Sequence, residues 1–271
     1  MKVESIYDQG VGIMNEDQIV SAEPVFAVLD GATSLNKFVD TQGKTGGYLA
    51  SSLVAEYFRT HTGTLVERAQ AANIALRQEM QKQNIDMSQK ENLWITSLSA
   101  VQINQDTIDW IQVGDCFILF IFFDGTYKLA SEYFDHDEQV LKKFKLLGNM
   151  DQKEKWNELY PDMLALRRSQ NIVYGVVNGE VEAENFFRRG SFLRDTVAHV
   201  LLFTDGFLIP KEDVGGEENF DLCVKTYLTQ GLLGLKTLIR EMEESDPACL
   251  KYTRYKKHDD IAALSITLEK T

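Results

Sequence analysis

Two runs of apolar residues along the chain each end in an Asp-Gly pair. The first, VFAVLD over residues 25–30, is followed by Gly31, and the second, VLLFTD over residues 200–205, is followed by Gly206. Continuous apolar runs of this length, bounded by turn residues, are typical of buried strands. The residues after each pair are polar or interrupted by proline, so no return strand follows at once. We therefore expect Asp30 and Asp205 at the mouths of two buried strands.

Periodicity divides much of the remaining chain into helices and strands. Apolar residues recur at helical spacing over residues 49–58 and 65–80, and Thr64 is a predicted N-cap. Residues 93–130 alternate or run apolar, which predicts a meander of antiparallel strands. The pair Asp124-Gly125 within it is the preferred sequence for a tight hairpin turn.

The later part of the chain is less regular. Residues 135–195 have no sustained period, and we expect one helix that stops at Gly148 and an irregular, partly mobile segment. After the second Asp-Gly run, two helical patterns meet near Gly231. Alternating apolar residues over 264–268 then predict a last, half-buried strand.

This order of elements predicts an α+β fold of layered sheets and helices. Strands joined locally, and helices in antiparallel pairs, argue against a doubly wound parallel sheet. Neither an internal repeat nor a Pro-rich linker divides the 271 residues, and a hydrophobic content of 44% is enough for a substantial core. We expect a single domain over residues 1–271, with 135–195 as a variable insert.

The acidic balance of the chain restricts its partners. Forty-one acidic residues against 28 basic residues give a formal net charge of −13. This charge repels nucleic acid and anionic membranes and favours metal cations and basic partners. No apolar stretch has the length of a signal-peptide core or a membrane span. The three cysteines lack a CxxC pair and indicate reduced thiols in the cytoplasm.

Acidic residues stand beside each of the expected buried strands. A carboxylate at the edge of an apolar layer is unfavourable unless it is paired or binds a metal. Mg²⁺ and Mn²⁺ favour carboxylate and carbonyl oxygens, and a glycine after the aspartate lets a main-chain carbonyl approach. Residues 15–17 (NED) and 258–260 (HDD) precede the first and last buried strands. From the residues alone, a metal site and a set of ordinary turn aspartates both remain open.

Five short motifs follow one another along the chain, in the order NEDQ, VLDGATS, VGDCFIL, LLFTDG and HDDIAAL. In this order and at these spacings the chain resembles the metal-dependent serine/threonine protein phosphatases, the type 2C protein phosphatases, in their bacterial form. The resemblance spans residues 10–268. It implies a four-layer α-β-β-α sandwich, with two antiparallel sheets flanked by helix pairs and a dinuclear Mg²⁺ or Mn²⁺ centre at one edge.

Carried over residue by residue, the resemblance implies the catalytic metal ligands. Asp30 would bridge the two ions, and Gly31 would offer its carbonyl oxygen. Asp205 and Asp259 would bind the first ion. Two ions held in this way would provide a hydroxide near neutral pH and neutralise the charge of the phosphoryl group that it attacks.

The remaining motif residues would support this centre. Glu16 would reach the second ion through water, and Asp17 would support that shell. Asp115 matches an aspartate that in bacterial members can help to hold a third ion. Ala32 stands where eukaryotic members carry a histidine proposed as general acid, so a different group is expected to protonate the leaving oxygen.

The chain departs from the family at the arginine that binds the substrate phosphate. That position, four residues before the motif glutamate, is Gly12. Loss of a charge-assisted, bidentate contact is expected to weaken phosphate binding by about 1.5 to 3 kcal/mol. Another cation could replace the arginine, and the candidates are Lys37, Lys44, Arg188 and Arg189. The alternative is that each is an ordinary surface charge.

These observations favour a Mn²⁺- or Mg²⁺-dependent phosphomonoester hydrolase. By resemblance its substrates would be phosphoserine or phosphothreonine proteins in bacterial signalling, with a cognate serine/threonine kinase as partner. One alternative is a pseudophosphatase that binds a phosphoprotein without turnover, and another is a phosphatase for small phosphorylated molecules.

Overall fold

Two five-stranded sheets form the centre of the protein, and helices cover their outer faces. The computed structural model describes residues 1–270, excluding the side chain of Gln152. The main elements in chain order are β1 (Lys2–Asp8), β2 (Gln18–Ala22), β3 (Val25–Ala32), α1 (Gly46–Thr60), α2 (Leu65–Lys82), β4 (Ile95–Ile103), β5 (Thr107–Val113), β6 (Phe117–Phe122), β7 (Tyr127–Leu129), α3 (Glu138–Leu146), α4 (Gln152–Arg168), β8 (Arg188–Leu193), β9 (Val197–Phe203), α5 (Phe220–Glu244) and β10 (Ile261–Thr267).

Every neighbouring pair of strands is antiparallel. The strand order is β1-β10-β9-β6-β7 in the first sheet and β2-β3-β4-β5-β8 in the second. The two Asp-Gly runs lie in different sheets, each in an inner strand: the first forms β3 and the second forms the end of β9. The prediction that both are buried strands is confirmed, since residues 25–29 and 200–203 are all buried.

Alternate side chains of the strands separate the interior into apolar layers. Ala27 and Leu29 of β3 pack with α1 and α2, whereas Phe26 and Val28 of the same strand face the other sheet. Strand β9 divides its residues in the same way between the second sheet and α5. Because side chains of a strand point alternately to its two faces, this division requires a layer on each side of each sheet. The predicted α-β-β-α sandwich is confirmed.

Two features of the helices agree with the sequence patterns. Thr64 caps α2, and its side chain and that of Glu67 form a reciprocal capping box. The long α5 consists of two helical segments that meet at Gly231, where φ is 70° and ψ is −172°. No helix within residues 1–270 is both long enough and apolar enough to cross a membrane.

The predicted meander is wrong at one point. Strands β4 and β5 belong to one sheet, but β6 and β7 belong to the other, so the chain changes sheets at Gly114. Gly114 has a φ of 78°, and a Cβ there would collide with the side chain of Ser97. Continuous apolar residues on both sides of the crossing hide it in the sequence. The Asp124-Gly125 hairpin turn between β6 and β7 is confirmed.

The insert, residues 135–195, is more regular than its sequence indicates. It contains a second helix, α4, which runs through Pro161, and an edge strand, β8. Strand β8 is largely exposed and begins with two arginines, so it lacks the apolar pattern of a buried strand. Strand β1 was also not predicted. The expectation of an irregular segment is therefore wrong over α4 and β8.

Candidate metal centre

Strand pairing brings separate acidic stretches to one edge of the sandwich. In the second sheet Asp30 is paired with Ser97, and Leu98 is paired with Val113, so Asp115 follows at the same end. In the first sheet Phe203 is paired with Ala263. The residues just after β9 and just before β10, which include Asp205 and Asp259, therefore share an edge.

Asp30 and Asp205 are two carboxylates without a protein partner. Within the described residues neither side chain accepts a hydrogen bond or forms an ion pair, although both residues are partly buried. The pKa of each is well above its ordinary value, first because of burial. The charges of Asp115 and Asp259 add to both shifts, and each of the two carboxylates lies among groups of its own sign. This arrangement favours the binding of a cation.

A lysine that the sequence did not single out lies beside Asp259. The Lys256 ammonium is 2.6 Å from Asp259 Oδ1, which also accepts the main-chain N–H of Asp260 at 2.8 Å. The Lys256 side chain is 43% exposed, and its ammonium end is in contact with the Asp259 carboxylate. Burial of that end would lower the Lys256 pKa, but the carboxylates, chiefly Asp259, outweigh it, and the pKa is raised.

Asp17 lies beneath these residues and is almost fully buried. The Thr204 hydroxyl donates to Asp17 Oδ2 at 2.7 Å and accepts the main-chain N–H of Ala262 at 3.0 Å. Burial raises the pKa of Asp17 well above its ordinary value, the Thr204 hydrogen bond opposes this, and nearby carboxylates including Asp205 increase it. Asp17 is therefore hydrogen-bonded to Thr204, the residue that precedes the predicted ligand Asp205.

Glu16 is oriented by hydroxyl groups of the loop after Gly31. The Thr33 hydroxyl is 2.8 and 2.7 Å from the two carboxylate oxygens of Glu16, and Thr45 donates to one of them. Asp260 holds the main chain here, because it accepts N–H groups from Gly10 at 2.8 Å and from Glu16 at 2.9 Å. Glu16 is thus fixed at the edge of the site by contacts within the protein.

Gly31 is required by packing, whatever its role toward a metal. A Cβ at this position would collide with the main-chain oxygen of Gly47, at the start of α1, and would lie 2.7 Å from the main-chain oxygen of Glu16. The helix therefore approaches β3 closely only because residue 31 has no side chain. Its predicted carbonyl ligand role stays a prediction.

Asp115 lies at the crossing between the sheets. The Ser97 hydroxyl donates to Asp115 Oδ1, and His136 Nε2 is 3.7 Å from Oδ2. The ring of His136 stacks on Tyr174 with ring centroids 4.1 Å apart. No sequence pattern indicates this neighbour, because His136 comes from the insert and contacts Asp115 only in the folded protein. His258, in contrast, is held by Glu243 and Glu244, each at 2.8 Å.

The donor set fits a hard divalent cation in its chemistry. All predicted ligands are oxygen donors, and among residues 1–270 the carboxylates of Asp30 and Asp205 have no hydrogen-bond or ion-pair partner. Within residues 1–270 no three His, Cys, Asp or Glu side chains already converge as a metal cage. The reason lies in the contacts of two of them, since Asp259 is turned to Lys256 and Glu16 to Thr33. Direct metal binding by Asp259 therefore requires this carboxylate to exchange Lys256 for the ion.

An arginine from the insert contacts the loop that follows Gly31. Arg167 Nη2 donates to the Thr33 carbonyl at 3.3 Å, and in residues 1–270 no carboxylate lies within 4.0 Å of its guanidinium. Of the candidates from sequence, Arg188 and Arg189 are exposed on the edge strand β8, and Lys44 lies over the ring of Tyr48.

A cavity of about 180 Å³ opens beside the acidic cluster. Asp115, Asp205 and Asp259 line one side of it. His136, from the insert, and Lys256 also line it. The insert therefore forms part of the space next to the predicted metal ligands.

The comparison with protein families identifies the class of this chain. A family model described as protein phosphatase 2C matches residues 9–231. The chain therefore belongs to the protein phosphatase 2C family. We class it among the metal-dependent serine/threonine protein phosphatases, which are hydrolases.

Solved structures of bacterial phosphatases share this fold. The serine/threonine phosphatase PstP/Ppp of Mycobacterium tuberculosis is 18% identical, with a TM-score of 0.60 over 99% of this chain and 98% of that chain. PppA, a regulatory component of T6SS in Pseudomonas aeruginosa, is 15% identical, with a TM-score of 0.58 over 97% and 96%. The catalytic domain of PstP in complex with two manganese ions is 14% identical, with a TM-score of 0.56 over 99% and 98%. No curated protein matches the chain.

Proposed function

We propose that the chain is a Mn²⁺- or Mg²⁺-dependent phosphomonoester hydrolase that acts on phosphoserine or phosphothreonine in proteins. The observation that carries the proposal is the pair Asp30 and Asp205, two neighbouring carboxylates without a protein partner. The structure of PstP in complex with two manganese ions supports this choice of metal, since that protein has the same fold.

In this proposal the carboxylate of Asp30 and the carbonyl oxygen of Gly31 would help to hold two ions, and Asp205 and Asp259 would hold the first of them. When bound, the ions would activate water and neutralise charge on the phosphoryl group. The charges of the protein favour their entry, because the clustered carboxylates repel one another until a cation is present.

The proposed supporting residues are Glu16, Asp17 and Asp115. Glu16 reaches the second ion through water while Thr33 fixes its direction. Asp17 stays behind the site and orients the chain at Thr204 through a hydrogen bond. Asp115, which accepts a hydrogen bond from Ser97, would help to hold a third, weaker ion.

Arg167 is proposed to bind the substrate phosphate in place of the arginine replaced by Gly12. Its guanidinium donates one hydrogen bond to a neutral carbonyl and has no carboxylate partner within residues 1–270, so N–H groups remain for a phosphate. Replacing Arg167 with Met should raise KM for a phosphopeptide by about ten- to a hundredfold while kcat changes less. A matched change at Arg168, which pairs with Glu91 at 2.6 Å, should leave KM unchanged. Equal effects of the two changes would contradict this role.

The hydrolase activity can be tested with p-nitrophenyl phosphate in Mn²⁺ and in EDTA. We expect release of p-nitrophenol only with metal, and none from Asp30→Asn. Asp124→Asn is the matched control, because Asp124 also precedes a glycine but forms an exposed hairpin turn. The proposal fails if the wild type releases no product with Mn²⁺, or if Asp30→Asn is as active as Asp124→Asn. Comparing kcat/KM for phosphopeptides with kcat/KM for small phosphate esters shows whether the enzyme prefers protein substrates or small molecules.

A second candidate function is phosphoprotein binding without turnover. The ion pair between Lys256 and Asp259 favours it, because a lysine already lies on a predicted metal ligand. Calorimetric binding of a phosphopeptide by a protein with no metal-dependent activity would support this alternative.

The wider context of the function is also proposed. We infer one catalytic domain over residues 1–271, with 135–195 as its variable insert, and a cognate serine/threonine kinase that phosphorylates the substrates. The three cysteines are free and buried, which supports a reducing compartment such as the cytoplasm. The net charge of −13 is unfavourable for binding to nucleic acid or an anionic membrane.

A further inference from the structure

Lys256 is presented to the acidic cluster by a strongly hydrogen-bonded loop. Asp246, just after α5, accepts the main-chain N–H groups of Leu250, Lys251 and Tyr252 at 3.1, 3.1 and 2.8 Å. These bonds fix the start of the loop that leads to β10.

Arg254 fixes the same loop from within. Its guanidinium pairs with Asp246 at 3.1 Å and donates to main-chain oxygens of residues 243, 246, 252 and 257. Since Lys256 lies between Arg254 and Lys257, the position of its main chain is well determined.

Adjacent lysines in this loop have different partners. Lys256 extends to Asp259 at 2.6 Å, whereas Lys257 pairs with Glu244 at 2.7 Å, outside the cluster. Lys256 also lines the cavity beside Asp205, and its charge acts on Asp30 and Asp205 as well. A single cation thus interacts with all three carboxylates that the proposed function assigns to metal binding.

We propose that Lys256 is an internal counter-ion of the metal centre. In the metal-free protein Lys256 pairs with the carboxylate of Asp259, and the first ion displaces Lys256 when it binds. This inference rests on the proposed metal-dependent function. An ion that binds Asp259 must break the pair with Lys256 and must remain near its positive charge. Lys256 therefore weakens metal binding and stabilises the protein when no metal is present.

Calorimetric titration of Mn²⁺ into the metal-free protein tests the inference directly. Lys256→Met should bind Mn²⁺ about tenfold more tightly than the wild type, the size of effect expected from one unit charge beside a divalent ion in a partly solvated site. Lys256→Arg keeps the charge and should have the wild-type affinity. Lys257→Met is the matched control, which should also be unchanged.

Thermal unfolding gives a second measurement that needs no turnover. In EDTA, Lys256→Met should unfold at a lower temperature than the wild type, because Asp259 loses its cation. With saturating Mn²⁺ the difference should disappear or reverse. If Lys256→Met does not fold without metal, Lys256→Gln replaces it in both measurements, since the amide can still hydrogen-bond to Asp259.

The outcomes separate this inference from the proposed function. If the wild type binds Mn²⁺ and Lys256→Met binds it with equal or weaker affinity, the inference about Lys256 is wrong but the proposed function is not contradicted. If Lys256→Met binds Mn²⁺ and the wild type does not, the result supports the counter-ion role of Lys256 and contradicts metal-dependent activity of the wild type. Absence of binding in both proteins overturns both.

Discussion

Replacing Thr204 with valine tests whether the buried hydroxyl holds the centre together. Valine has nearly the same shape, but it cannot donate to Asp17 Oδ2 at 2.7 Å or accept the Ala262 N–H at 3.0 Å. Thr204 is fully buried, so water cannot replace either bond. The substitution therefore leaves a buried carboxylate and a buried N–H group without their partner.

The expected cost follows from these two bonds. A hydrogen bond to a charged group contributes about 1.5 to 3 kcal/mol, and a buried unsatisfied N–H costs about 1 to 3 kcal/mol. Burial of the additional methyl group offsets about 0.8 kcal/mol. Because burial raises the pKa of Asp17 and favours its neutral form, the lower part of this range applies. We expect Thr204→Val to lower the free energy of unfolding by about 2 to 4 kcal/mol.

Urea unfolding in EDTA measures this change without any contribution from metal. Thr204→Ser is the control, since it keeps the hydroxyl and loses one buried methyl group, which costs about 1 kcal/mol. The reasoning is refuted if Thr204→Val is no less stable than Thr204→Ser. A valine variant of normal metal-free stability would show that Asp17 does not depend on the Thr204 hydroxyl.

Three further results are expected. The pKa of Asp30 is raised in the folded protein, so its contribution to stability is full below about pH 4 and is lost as pH rises through the folded-state pKa. Asp30→Asn should therefore be more stable than the wild type at pH 8 but not at pH 4. Urea unfolding in EDTA at the two pH values measures this difference. Gly31→Ala should cost at least about 1 to 3 kcal/mol by clash with the Gly47 oxygen, and an unchanged melting temperature would contradict the packing described for α1. Burial raises the pKa values of Cys116 and of Cys223, the latter to about 12, and all three cysteines are buried, so a thiol reagent at pH 8 should label the native protein slowly and the urea-unfolded protein rapidly.

The sequence predicted the strands that carry the centre because their apolar runs are continuous and end at acidic residues. Strand pairing brings Asp205 and Asp259 to one edge of the first sheet, and the charge of Asp259 raises the pKa values of both Asp30 and Asp205. Their role as metal ligands stays a prediction. The crossing at Gly114 could not be predicted, because buried strands on either side of it have the same pattern whichever sheet they join. The alternation of residues predicts which side chains share a face of a strand, but it does not predict which strand is the hydrogen-bonded neighbour.

Cations of the site were the least predictable part. Lys256 and Arg167 lie in segments rich in charged residues, where most side chains are solvated. Their proximity to Asp259 and Thr33 arises from the loop fixed by Asp246 and from the position of α4. Arg167 and Thr33 are 134 positions apart, so only the tertiary structure brings them together. Lys256 and Asp259 are close in sequence, but their contact depends on a specific loop conformation that the sequence pattern does not indicate.

The hydrogen bonds of Asp260 have a consequence for biosynthesis. This carboxylate binds the main-chain N–H groups of Gly10 and Glu16, which lie 250 and 244 positions earlier in the chain. The loop that carries Glu16 is therefore incomplete until β10 has emerged from the ribosome and paired with β1. A nascent chain that stops before Asp260 has most of its core but lacks the bonds that place Glu16, so the acidic site can be completed only after residue 260 has been synthesised.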